Sequence, residues 1–232
     1  MTKKKQIFIL FIYLDLYWIQ NIVTMHRRIF ENKLGYYAPI TVDILSSPDV
    51  GIVNDLISVD DAVALDLSEE LNVTFRVAPS DVYHLTNAYR YNFNTSWAKN
   101  CPEVTWKVNK NASYTILLID MDYPWGRDTS HKTEKNQFIH WLATHIEDPH
   151  QIESTPIKYI SPKIPEKSNN SHRYVFLLLE ENNKSILVTE TLKKKVSESG
   201  QEYIDRENFN LTYFQNANNL SLVTLNYFIS NF

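Results

Sequence analysis

Two runs of six residues without a charged side chain, 114–119 and 174–179, constrain this chain more than any other feature. Each is too short for an average helix, and each is unbroken rather than alternating, which is the pattern of a strand buried on both faces. Segments 73–77 and 104–108 alternate, and 186–189 and 222–229 complete the strand-like set. Their spacing is irregular and no long amphipathic helix lies between them. A mainly β, mostly antiparallel sandwich with a few short peripheral helices is therefore expected, rather than a βαβ array. Composition narrows the function classes. Only four glycines occur in 232 residues, which leaves little for glycine-rich phosphate loops, and neither GxGxxG nor a P-loop is present. The single Cys101 allows no disulfide within the chain and no Cys-rich zinc module. With 23 Lys and Arg against 27 Asp and Glu, no net field is available to hold a polyanion, which speaks against nucleic acid as a partner.

The first 30 residues read differently from the rest. Lys3, Lys4 and Lys5 precede an apolar stretch broken only by Asp15, and polar residues return with Gln20 and Asn21. A basic start followed by about a dozen apolar residues outlines a secretory signal. An uncleaved anchor, or an extension with Met25 as the true start, are the alternatives. A stretch of this length is marginal for stable transmembrane insertion, which takes roughly 20 mostly apolar residues. From residue 40 to residue 232 the chain has no linker-like tract, repeat or sustained heptad, and reads as one domain. Seven Asn-x-Ser/Thr sequons occur, at Asn72, Asn94, Asn111, Asn169, Asn183, Asn210 and Asn219, where about three would arise by chance, an excess that favours secretion over a cytoplasmic location. Asn111 and Asn183 sit in turn-like sequence and are the glycosylation candidates. Asn210 has another use. As an N-cap, with Phe209 and Phe214 as hydrophobic staple, it predicts a short helix from Leu211 to about Ala217.

The chemistry lies between residues 120 and 174. Asp120 and Asp122 close an apolar strand at a spacing of two, which predicts both carboxylates on one face, and Pro124 then turns the chain. His140 and His172 stand in or beside apolar strand-like runs. The spacing of His140 and His145 is not that of a metal-binding HExxH helix, no GxSxG elbow is present, and carboxylates two apart on one strand cannot flank a sugar. A zinc site, a serine-hydrolase triad and a glycosidase pair are therefore not expected, nor is a bound cofactor.

These residues resemble a known family. Asp120-Met-Asp-Tyr-Pro124 is similar to the Asp-Pro-Asp-x-Pro signature of the phosphatidylethanolamine-binding proteins, and His140-Trp-Leu and Ser171-His-Arg-Tyr174 are similar to their His-[Phe/Trp]-Leu and Gly-x-His-Arg-Tyr elements. Gly51-Ile-Val-Asn-Asp55, Pro102-Glu-Val-Thr-Trp106 and the terminal 209–214 and 227–228 segments follow in matching order, so the resemblance covers about residues 49–232.

The resemblance implies a β-sandwich with a small anion site. Asp120, Asp122, Pro124, His140, His172 and Tyr174 would bind a phospholipid head group or a phosphorylated small ligand, and the Pro124 peptide would be cis. Carboxylate neighbours would favour protonated histidines, which suits an anion. The family implies no catalytic activity, so the chain is expected not to be an enzyme. A protease or kinase modulated through the protein surface is the other partner class implied. A structural component of the mitochondrial large ribosomal subunit, which contains a homologue of this fold, is the alternative reading. Two departures stand out. Met121 replaces the first proline of the signature, and Pro165-Glu-Lys-Ser-Asn-Asn-Ser171 replaces a glycine-rich segment with a bulkier one closer to the site.

Overall fold

Both uninterrupted apolar runs become neighbouring inner strands of one sheet, where every residue has to be covered. The computed structural model describes residues 51–52, 55–57, 71–85, 93–127, 136–166, 168, 170–182, 186 and 192–230. Their strands are β1 (Asn72–Ala78), β2 (Asp81–Leu85), β3 (Glu103–Thr105), β4 (Tyr114–Tyr123), β5 (Asn136–Ile146), β6 (Ser154–Ile157), β7 (His172–Glu181), β8 (Lys194–Val196), β9 (Glu202–Ile204) and β10 (Leu220–Ser230). A 3-10 turn spans Thr95–Ala98, and one α-helix, α1, spans Leu211–Asn218. The strands form sheets ordered β10-β7-β4-β5-β6, β2-β1-β3 and β8-β9. Every described pairing is antiparallel.

Burial on both faces explains why β4 and β7 carry no alternation. Leu117, Ile119, Val175 and Leu177 pack on one side with Leu211 and Phe214 of α1 and with Ile52 and Leu56. Ile116, Leu118, Phe176 and Leu178 face the small sheet on the other side, meeting Val73, Phe75, Leu85 and Val104. Phe75 bridges the layers, with ring centroids 6.2 Å from both Phe176 and Phe228. The expected sandwich is thus built around one doubly covered sheet.

The helix start follows its local code. Asn210 Oδ1 accepts the Tyr213 N–H at 2.9 Å, the Phe209 and Phe214 rings meet at 5.5 Å, and Asn219 closes the helix in the left-handed region at φ 51. Other expectations are corrected or left open. The strand expected over 104–108 ends at Thr105, because Trp106 turns into the core beside Tyr114, at a ring separation of 5.5 Å. Residues 187–189 of the expected 186–189 strand lie outside the described residues, as do residues 1–30, Asn169 and Asn183. No helix among the described residues is long and apolar enough to cross a membrane.

Candidate functional site

Strand register assembles the site. Residues directly opposite each other in antiparallel strands share a face, and so do residues two apart on one strand. Asp120 lies opposite Tyr174 on β7 and Phe138 on β5, and Tyr174 and His172 lie opposite Phe228 and Ser230 on β10. Asp120, His140, His172, Tyr174 and Ser230 therefore share one face, at the end of the sheet beyond its aromatic core. All five are buried.

Asp120 is the hub. Its Oδ2 lies 2.7 Å from His172 Nδ1, and its Oδ1 accepts the Asp122 N–H at 2.9 Å. A carboxylate only accepts, so the Nδ1 of His172 carries a proton. The other ring nitrogen, Nε2, lies 2.8 Å from Ser168 Oγ. When the ring is neutral, Nε2 accepts the serine hydroxyl. When it is protonated, Nε2 donates to Oγ, which then donates to the Asn170 carbonyl at 3.2 Å. His172 is satisfied within the protein in either state.

His140 is not protonated at neutral pH, contrary to the expectation from its carboxylate neighbour. Burial is the dominant cause and pushes its pKa down to about 4, against the upward pull of Asp120 and of the Ile160 carbonyl and with a further downward push from Arg206 and His172. Its Nδ1 donates to the Ile160 carbonyl at 3.1 Å, so Nε2 presents a lone pair. Ser230 Oγ is a buried hydroxyl that closes no hydrogen bond. Burial first, then the charges of Asp120 and Asp122 and a hydrogen bond to Asp120, hold the Tyr174 phenol well above its ordinary pKa.

Asp122 departs from the expected common face. The β4–β5 register shifts between Asp120 and Tyr123, and the two acids take partners that are consecutive on β7. Asp122 receives Arg173 Nε at 2.7 Å and an Arg173 terminal nitrogen at 2.6 Å, and also the Arg173 backbone N–H at 3.0 Å. The guanidinium reaches on to the Gly51 carbonyl at 2.7 Å and Asp55 at 2.9 Å. Burial opposes the Arg173 charge, yet Asp122 and then Asp55 outweigh it and raise the pKa. Asp122 is thus a structural anchor for Arg173, which ties the start of the domain to the signature strand. Sequence reasoning gave Arg173 and Asp55 no role, although both stand inside quoted motifs.

The turn after β4 fits closely against the segment before β7. The peptide preceding Pro124 is cis. Gly126, at φ 71, donates to the Asp122 carbonyl at 2.8 Å, and the Arg127 N–H reaches Ser171 O at 3.0 Å. A Cβ at Gly126 would stand 2.6 Å from Ser168 Oγ and 2.9 Å from Asn170 Cβ. Gly126→Ala is expected to destabilise the fold by about 1–3 kcal/mol through left-handed strain and this overlap. A denaturant titration checks it, and an unchanged midpoint would mean that the turn accommodates a side chain.

Comparison with known proteins follows the same geometry. The family model described as phosphatidylethanolamine-binding protein matches residues 83–214, more than half of the chain. The chain belongs to the phosphatidylethanolamine-binding protein family. Among solved structures it is similar to the phosphatidylethanolamine-binding protein of Plasmodium vivax, with a TM-score of 0.61 and 16% identity over 83% of this chain and 98% of that one. The Plasmodium falciparum protein gives a TM-score of 0.60 and 16% identity over 84% and 100%. A carboxypeptidase Y inhibitor in complex with its proteinase gives 0.53 and 20% over 78% and 90%. A 26 kDa secreted antigen of Toxocara canis is 30% identical over 84 residues, which is 36% of this chain and 30% of the antigen. The match spans less than a third of that relative's length.

Within the phosphatidylethanolamine-binding protein frame, the segment that departs from the glycine-rich pattern supplies Ser168. It was missed because a serine in a polar loop carries no signal of its own. Ser168, His172 and Asp120 stand in the order nucleophile, base and orienting acid. Ser168 is only 1% exposed and its own N–H goes to the Pro165 carbonyl at 2.9 Å, so neither access nor that oxyanion donor accompanies the relay. Ser230 was missed as well, and its signal is a polar residue that follows the apolar 227–229 run at the end of β10. Among the described residues no group of three or more His, Cys, Asp or Glu side chains could hold a metal ion.

Proposed function

We propose that this chain is a non-enzymatic binding protein whose Asp120–His140–His172–Tyr174 cluster takes the phosphate-like part of a phospholipid head group or of a small phosphorylated ligand. The observation that carries the reading is Ser230 Oγ, a buried hydroxyl without a partner, on the same face as Tyr174 and two buried histidines. An orphaned buried polar atom is costly in a folded protein, and a ligand with several acceptor oxygens would satisfy it while reaching the neighbouring side chains. Asp122 and Arg173 hold this cluster from behind and do not contact the ligand. Secretion is part of the proposal, supported by the antigen relative and by exposed sequon residues such as Asn111. A protease or kinase partner rests on the family alone.

Magnitudes bound the affinity. Three hydrogen bonds to a charged group at about 2 kcal/mol each oppose an association cost of several kcal/mol. Head group alone is expected to bind weakly. Affinity tighter than about 1 μM, which corresponds to roughly −8 kcal/mol, requires acyl chains or a protein surface. Native mass spectrometry of the protein purified from a secretory host tests the proposal directly. The expected result is a co-purifying lipid or phospho-compound that is lost in a Tyr174→Phe, Ser230→Ala double variant. Protein of bare mass, with no phosphoethanolamine binding at millimolar concentration, would overturn it.

A further inference from the structure

The oxygen that a ligand would bring to His172 is already there. We infer that Ser168 is a specificity-determining residue of this site: its hydroxyl occupies the His172 Nε2 position that an anion's oxygen would take, so a ligand competes with the protein's own group. This inference rests on the anion reading proposed above.

Several independent contacts show a built seat rather than an incidental contact. Ser168 Oγ is 2.8 Å from Nε2, receives the Asn170 N–H at 3.3 Å and faces the Asn170 carbonyl at 3.2 Å, and its backbone N–H is held by Pro165. On the opposite side Gly126 contributes no side chain, and any Cβ there would overlap Oγ at 2.6 Å. The hydroxyl can donate to a neutral His172 or accept from a protonated one, so His172 gains little from a ligand that offers a single oxygen. Ser230 Oγ is left unsatisfied on the same face. The ligand class that displaces Ser168 is therefore a tetrahedral oxyanion, one of whose oxygens replaces Oγ while another reaches this hydroxyl. An alcohol or a lone amide carbonyl has no such second contact.

Titration of the full chain with phosphoethanolamine and with inorganic phosphate, followed by protein NMR shifts, tests this on wild type, Ser168→Ala and Ser168→Gly. Thermal midpoints confirm that each variant is folded. Removing the competing hydroxyl is expected to tighten binding about three- to tenfold in both variants, the factor that one neutral hydrogen bond supplies. Unchanged affinity in the folded variants overturns the competition and leaves the anion reading intact. Weaker binding in both overturns it too, by making Ser168 a ligand contact. Binding by none of the three proteins overturns the anion reading and the competition together.

Discussion

Arg173→Ala is expected to remove about 3–5 kcal/mol of folding stability, the range for breaking one partner out of a buried ion pair. Arg173 is 4% exposed and Asp122 is fully buried. The variant would leave the Asp122 carboxylate without the two guanidinium bonds at 2.7 and 2.6 Å, while the backbone N–H of residue 173 stays with it. It would also free the Gly51 carbonyl and Asp55 from the strand they are tied to. Another arginine–carboxylate pair, at the surface, gives the contrast. Arg76 and Glu103 make a 2.7 Å bridge with side chains 54% and 61% exposed, and Arg76→Ala is expected to leave stability nearly unchanged. Urea unfolding of both variants measures the difference. A loss below about 1 kcal/mol for Arg173→Ala would show that water reaches Asp122 and compensates it. Replacing Arg173 by methionine together with Asp122 by leucine should recover most of the loss, because the buried charge goes with its partner.

What was legible in the sequence was whatever local chemistry decides. Residues 114–119 and 174–179 announce doubly buried strands because an unbroken apolar run has no polar face to give to water. Asn210 and the Phe209–Phe214 staple announce a helix start because the partners are three to five residues apart. The family signatures located Asp120, His140, His172 and Tyr174, and strand register brings all four to one face. What failed depends on distant geometry. Alternation placed Asp122 beside Asp120, but a register shift sent it to Arg173, and sequence spacing carries no trace of a bulge. The charge of His140 was inferred from a neighbouring carboxylate, yet desolvation by the surrounding layers outweighs that neighbour. Strands β8 and β9 were missed because Lys194, Lys195 and Glu202 give them no apolar pattern, and they are exposed.

The position of His140 also fixes how the proposed site responds to acid. Its folded pKa of about 4 lies below the ordinary 6.5, so between these values the unfolded chain binds the proton that the folded one refuses. Stability contributed by the neutral ring is present above about 6.5 and is lost as pH falls toward about 4, at about 1.4 kcal/mol per unit and roughly 3 kcal/mol in total. An oxyanion reverses that penalty. The neutral ring turns a lone pair toward the cluster, so an anion is received only with a proton, and affinity should fall about tenfold for each unit of pH above about 4. Asp120, His172, Tyr174 and Arg206 also act on this ring or pack against it, so a variant is needed to assign the proton. Sulfate is the suitable probe because it keeps its charge through this window, whereas phosphate does not. Thermal midpoints with sulfate and with chloride at equal ionic strength should diverge strongly near pH 5 and little near pH 7. In His140→Gln, which cannot take up the proton, the acid-side divergence should shrink. A sulfate shift equal at both pH values, and unaltered by His140→Gln, would remove His140 from the site and leave it as a buried residue of the sheet.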